Sequence, residues 1–190
     1  RSTPCRSSAG LNVYKRQVKV CERVYGPVHA STALAILELS NYMYERKELS
    51  LAIALHSRAL SIFDVCGSGA NPNSLLVLHE LQLMTEELRD YNSSCAVMQE
   101  LLTRNAALYG ESDERLLFAL GKLAHLRSEL SDYKQASVLQ ARHAFILRQL
   151  LKSEGAGVSE KLREAFGKKL DESEKLRAYY VSKSKATADA

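Results

Sequence analysis

The chain of 190 residues is 46% hydrophobic and holds 3 prolines, a composition that excludes disorder and favours a folded, helical protein. Its net charge of +4 belongs to Arg1, Arg6, Lys15 and Arg16, with no acid before residue 18, so the rest is neutral and offers nucleic acid no basic patch. No apolar run approaches the ~20 residues that span a bilayer, and cysteines 5, 21, 66 and 95 show neither C-x-x-C pairing nor zinc spacing, as expected of free thiols in a reducing, cytoplasmic setting.

Residues 1–17, "RSTPCRSSAGLNVYKRQ", show no helical periodicity. Their "VYKRQ" end is similar to translated library-adaptor sequence, which sets them apart as a non-native or disordered tail. A nucleic-acid-binding arm is the alternative. The chain opens on Arg1 and contains no signal peptide, and reads as a fragment. Residues 18–28 match the end of a second helix from a partial repeat, closed by Gly26. Ala30–Arg46 and Leu49–Cys66 then carry apolar faces at helical spacing, joined by the polar turn "ERKE". Asn71 before Pro72 predicts a helix start. Asn73–Arg89 follows, and then Asp90 caps Tyr91–Tyr109, with Gly110 as the stop. Asp113–Leu130 and Tyr133–Leu151, the latter capped by Asp132, complete a third pair. Val158–Lys183 reads as a capping helix, bent or straight, with "KATADA" frayed.

These pairs repeat every 42 residues without a gap. Ala52, Ser94 and Ala136 form a small column. Leu49, Tyr91 and Tyr133 form a bulky one, as do Leu39, Leu81 and Leu123, and Ile36, Leu78 and Leu120. Glu45, Glu87 and Glu129 form an acidic one. A small residue where two helices cross lets their backbones approach, while the bulky columns fill the space on either side. One pair cannot bury both faces, so the pairs must stack. The expected fold is an all-α, tetratricopeptide-like α-solenoid of stacked antiparallel helix pairs. Its repeat domain spans 18–171, with a partial repeat at 18–28, repeats at 29–68, 69–110 and 111–152, and a cap at 158–171. Residues 172–190 extend the last helix into a frayed tail.

Small and large columns in helix pairs resemble the tetratricopeptide repeat, and the 42-residue period resembles its kinesin-light-chain type, longer than the usual ~34. The residues that carry the resemblance are Leu49, Ala52 and Ala59 in "LSLAIALHSRAL", Tyr91 and Ser94 in "YNSS", and Tyr133 and Ala136 in "YKQA". "VYGPVH" and "LYGESD" are similar to that family's inter-repeat loops. The resemblance implies a non-catalytic scaffold that binds a peptide or partner helix on a concave face lined by first helices. Where that family has paired, backbone-gripping asparagines, this chain has Leu37/Glu38, His79/Glu80 and Gly121/Lys122. A second resemblance, through "LLFALGKLAHL", is to the helical C-terminal domain of SET–MYND lysine methyltransferases, which implies an accessory domain of a larger enzyme.

Register places Leu37, Asn41, Tyr44 and Glu45 on the first-helix face, then His79, Leu83, Glu86 and Glu87, then Gly121, His125, Ser128 and Glu129. A ladder of Glu45, Glu87 and Glu129 on one wall would favour a basic partner. A solvated end to each first helix is the other reading. His29, His56, His79, His125 and His143 fall in different columns, which points to packed or surface histidines. Glu86 and Glu87 point about 100° apart on a helix and do not converge on one substrate atom. With no P-loop, dinucleotide fingerprint, nucleophile elbow or metal signature, the expectation is no catalytic residue, no cofactor and no metal, and a protein or peptide partner without nucleic acid or membrane. Nothing in the sequence sets the oligomeric state.

Overall fold

The computed structural model describes residues 8–67, 72–153 and 160–188. Among them are eight helices and no strand: α1 (Ser8–Tyr25), α2 (Ala30–Glu45), α3 (Leu49–Gly67), α4 (Pro72–Glu87), α5 (Tyr91–Tyr109), α6 (Leu116–Glu129), α7 (Tyr133–Ser153) and α8 (Glu160–Ala188). The chain divides into two compact units, Arg1–Asp90 with α1–α4 and Tyr91–Ala190 with α5–α8. Within each, consecutive helices pack on one another, and the few residues between them make neighbours antiparallel.

The second helices begin at Leu49, Tyr91 and Tyr133, where the repeat register predicts. The turns before them share one backbone. Lys47, Arg89 and Ser131, 42 residues apart, all take positive φ, at 64°, 58° and 60°. In each turn the next N–H reaches a carbonyl five residues back: Glu48 to Met43 at 3.0 Å, Asp90 to Thr85 at 2.9 Å, and Asp132 to Arg127 at 2.9 Å. This is a Schellman closure, which satisfies the last helical carbonyls. Asp132 also caps α7, its Oδ1 accepting the Gln135 N–H at 3.2 Å. Gly26 and Gly110, two periods apart, hold φ of 94° and 95° in the inter-repeat loops, a region that only glycine enters without strain. Asn71, the predicted cap of α4, lies outside the described residues.

Packing follows the columns. Leu39, Leu81 and Leu123 are buried, as are Ile36, Leu78 and Leu120. The small column is fully buried, and in two places its counterpart is visible. The Ser40 hydroxyl donates to the Ala52 carbonyl at 2.7 Å, a contact that only close backbones allow. Ala136 packs with Ala124 of α6 and Tyr180 of α8, flanked by Tyr133 and Leu139. Both sides of these two crossings are small, and in the second unit an aromatic ring from a third helix closes the gap.

Four features depart from the sequence expectations. First, residues 8–17 are helical and continue into α1. Bare Gly10 sits against the Tyr42 ring, Tyr14 packs on Tyr42 with ring centroids 5.3 Å apart, and the Gln17 amide donates to Glu38 at 2.8 Å. Second, α6 starts at Leu116 rather than Asp113, because the Asp113 carboxylate accepts the Arg115 N–H at 2.9 Å and holds 113–115 as a turn. Third, α8 is one helix through Ala188, past the predicted cap at 158–171 and into the stretch predicted to fray. It buries Phe166, Ser173 and Tyr180, seven residues apart, which makes one stripe down a single face. Fourth, α3 is long and apolar enough to cross a membrane by length and composition, with a mean hydropathy of 1.4. It buries Ala52, His56, Ala59, Ile62 and Phe63, and Arg58 pairs with Glu22 at 2.6 Å, so it packs here as a helix of the first unit.

Candidate interaction site

In the first unit, α2 and α4 present part of the predicted face as a groove. Asn41, Tyr44 and Glu45 of α2 and Glu80, Leu83 and Met84 of α4 line about 460 Å³. Leu83 is 58% exposed, although it lies on a helix that buries Leu81 and Met84. Glu45 and Asn41 are exposed and Tyr44 is half-buried beside them. Leu37 does not join the groove; it is buried with the core of α2, since its register position turns inward. His79 is half-buried, and burial pushes its imidazole pKa below the ordinary value.

The acidic column is unequal. Glu87 accepts from Lys47 Nζ at 2.7 Å and from the Tyr44 hydroxyl. The Lys47 pair and the Tyr44 bond hold the Glu87 pKa down, and Glu87 in turn holds the Tyr44 and Lys47 pKa values up. Glu87 is thus spent on the turn at Lys47. Glu86 accepts the Gln82 amide at 2.5 Å. In the second unit, exposed Glu129 lies 4.0 Å from exposed His125 one turn earlier, and Ser128 donates to the His125 carbonyl at 2.7 Å. Glu45 is the rung that faces a groove.

Each unit also holds a buried polar cluster absent from the sequence reading. In the first, His56 is fully buried on α3; Nδ1 shares a short hydrogen bond with the Ser40 hydroxyl of α2, and Nε2 lies 2.8 Å from Glu80 Oε2 of α4. A Ser–His–Glu set invites comparison with a catalytic triad. Here Ser40 is inaccessible and its proton points at the Ala52 carbonyl, so it is no nucleophile. The cluster ties three helices together.

In the second unit, Gln140 and His143 of α7 meet Ser173 of α8. Ser173 donates to the Gln140 carbonyl at 3.3 Å, and His143 Nδ1 lies 3.1 Å from Ser173 Oγ. Burial, and then the nearby Lys169 charge, push the His143 pKa below the ordinary range, so the ring is neutral at pH 7. Gln140 is 4% exposed, and its Oε1 is buried without a hydrogen-bond partner. Both residues line a cavity of about 540 Å³ between α6, α7 and α8. The available sequence signals were faint: two polar residues three apart on an otherwise apolar face, and a glycine inside α6 at 121.

Among the described residues no His, Cys, Asp and Glu cluster could hold a metal, and Cys21, Cys66 and Cys95 are free thiols.

No family model matches the chain. Among curated proteins it is similar to a clustered mitochondria protein homolog of Culex quinquefasciatus, 24% identical over 66% of this chain and 9% of that one. It is similar to another of Aedes aegypti, 26% identical over 66% and 9%. The chain therefore spans about a tenth of the length of the curated relatives it matches. Among solved structures it is similar to a Podosopora anserina protein with kinesin-light-chain, nearly identical TPR-like repeats, at TM-score 0.64, 15% identity and 96% and 88% coverage. It is also similar to BtubC (BKLC) from P. vanneervenii, at TM-score 0.61, 17% identity and 95% and 70% coverage. The fold is TPR-like and all-α, of the α-solenoid class.

Proposed function

We propose that the chain is a non-catalytic interaction module, a TPR-like segment of a larger cytoplasmic protein of the clustered-mitochondria type, and that it holds a peptide or partner helix on its first-helix face. The TPR-like fold and the curated relatives support the scaffold reading. One observation carries the location: exposed Leu83, with half-buried Tyr44, sits in a groove rimmed by Asn41 and Glu45. An exposed apolar anchor within a polar rim is the usual makeup of a binding hot spot. Glu45 adds a preference for a basic partner. It is weaker than a three-rung ladder would give, since Glu87 is already paired with Lys47.

The test begins with affinity capture of a partner, followed by measured binding of two variants. Leu83→Asp is expected to weaken binding at least about tenfold, as hot-spot loss does. Glu45→Gln should weaken it only a few-fold, and only at low salt. Unchanged affinity for Leu83→Asp would remove the first-helix face from consideration. The competing reading, an accessory domain of a larger enzyme, is decided by the full-length sequence: SET and zinc-binding MYND motifs upstream would replace the scaffold.

A further inference from the structure

The first helices carry an apolar row in register with the acidic one. Along α2 the exposed residues are Leu34, Glu38, Asn41 and Glu45, one stripe at helical spacing on a helix otherwise buried or half-buried. The same positions of α4 are exposed Leu76, half-buried Glu80, exposed Leu83 and exposed Glu87. In α6 they are Phe118, Lys122, His125 and Glu129. Each stripe therefore opens on a large apolar residue and ends on an acid. Leu34 is 49% exposed, Leu76 55% and Phe118 54%. Single exposed hydrophobics are ordinary on a protein surface. One at the same register position in three successive repeats is not scatter. The acid is no more ordinary, since it stands in the last turn, against the helix dipole, and no base joins it in the last turns of α2 and α4.

We propose that the α2–α4 face of the first unit docks a basic amphipathic helix that lies across both helices, its apolar side chains on Leu34, Leu76 and Leu83 and its Lys or Arg toward Glu45. The inference rests on the interaction-module reading and names the partner's chemistry and orientation. Size supports it. Leu34 and Glu45 are eleven residues apart, about 16 Å along the α2 axis, and a helix with its side chains is about 10–12 Å across. A helix lying across the stripes meets both rows, with Leu83 in the α2–α4 groove beneath it. Charge fixes the partner's sign. The stripes of α2 and α4 hold Glu38, Glu45, Glu80 and Glu87 and no base. Lys47 is paired with Glu87, while the Gln17 amide bonds Glu38 without cancelling its charge. Glu38 and Glu45 thus leave the face negative. A helix with apolar residues at i, i+4 and i+7 and basic residues on one flank matches both rows.

The test uses the 190-residue chain and fluorescein-labelled peptides of about 18 residues, with binding read from fluorescence anisotropy. The first peptide places Leu at helical spacing on one face and Lys on its flank. Three others replace every Lys by Glu, scramble the order so that no apolar face forms, or set two prolines in the middle. The Leu–Lys helix is expected to bind saturably, with each of the others at least about tenfold weaker. The Leu34→Gln, Leu76→Gln double variant should keep its melting midpoint, since both positions are exposed, and lose at least about tenfold in affinity. Glu45→Gln should lose a few-fold, and only at low salt. Val138→Gln, at an exposed position of α7, is the control and should bind as the unaltered chain does. Equal binding of the Glu, scrambled or proline peptide, unreduced affinity in the double variant, or an equal loss in Val138→Gln would each overturn the docking face. A captured partner that ignores the double variant but is lost in Leu83→Asp would also overturn it, while leaving the interaction module standing.

Discussion

His56 and Gln140 occupy the same repeat column, two periods apart, yet their surroundings differ. In the first unit His56 meets Ser40 on one side and Glu80 on the other, and the cluster is closed. In the second unit the matching positions are Ala124, which has no hydroxyl, and Glu164, which is exposed and paired with Lys168, so the Gln140 side-chain oxygen finds neither partner. A polar network inside a protein is stabilising when complete and costly when half made. One column therefore serves as a clasp in the first unit and holds a buried, unpaired acceptor in the second. Repetition specifies the backbone, and the partners of a column decide what it does.

The sharpest way to break this comparison is to delete both members. His56→Ala removes a fully buried ring and both of its bonds, and is expected to cost about 3 kcal/mol. Gln140→Leu should cost nothing, because it exchanges an unpaired buried acceptor for an apolar group of similar size. Denaturant midpoints of the two variants decide it. Equal losses would mean that Gln140 is as structural as His56.

Ala136→Leu tests the helix crossing on which the second cluster is built. Ala136 is fully buried between Ala124 and Tyr180, so the three extra side-chain carbons have nowhere to go. The expected loss is about 1–3 kcal/mol. Lys134→Ala, on an exposed position two residues away, is the control, and similar melting shifts in both would remove the close-crossing explanation.

The repeat was legible in the sequence because side-chain size is what specifies a helix crossing. The starts at Leu49, Tyr91 and Tyr133 and the Asp132 cap follow from local chemistry that recurs. The start of α1 was not legible. Its first turns carry little apolar pattern and are held by Tyr42 and Glu38, partners more than twenty residues away. The stripe Phe166, Ser173 and Tyr180 was also hidden, since α8 follows its own seven-residue spacing rather than the 42-residue register. At the first-helix face, register named Asn41, Tyr44, Glu45 and Leu83 but also buried Leu37, because a column says which face a residue is on and not how deep it sits. The two polar clusters depend on one exchange, Ser40 for Ala124, and on where two matching carboxylates reach, Glu80 to His56 and Glu164 to Lys168, which no periodicity records.

Acid should act on the two units through different histidines. His143 in the second unit and His79 in the first both have folded pKa values below the unfolded 6.5, through burial and, for His143, Lys169 as well. Each stays neutral in the fold while the unfolded chain takes up a proton. Stability is therefore full above about pH 6.5 and falls as pH drops below it. His143→Gln should flatten the slope of unfolding free energy between pH 7 and pH 5, as should His79→Gln. A steeper acid loss in either variant would contradict the burial assignment for that histidine.

The smallest effect compares the turns. Lys47 and Ser131 hold the same left-handed conformation, which costs a non-glycine residue about 1–2 kcal/mol. Glycine relieves that strain but loses part of the gain, about 0.4–1 kcal/mol, to a freer unfolded chain. Ser131→Gly should therefore stabilise the protein by about 0–1.6 kcal/mol. Lys47→Gly relieves the same strain and also breaks the Lys47–Glu87 pair. That pair is largely in solvent, with Lys47 69% exposed, so it contributes little. The difference between the two glycine variants isolates the pair, and it should shrink as salt rises. A difference that persists unchanged in high salt would show that Lys47 supports its turn through packing on Tyr44, over whose ring its ammonium sits at 5.5 Å, rather than through charge on Glu87.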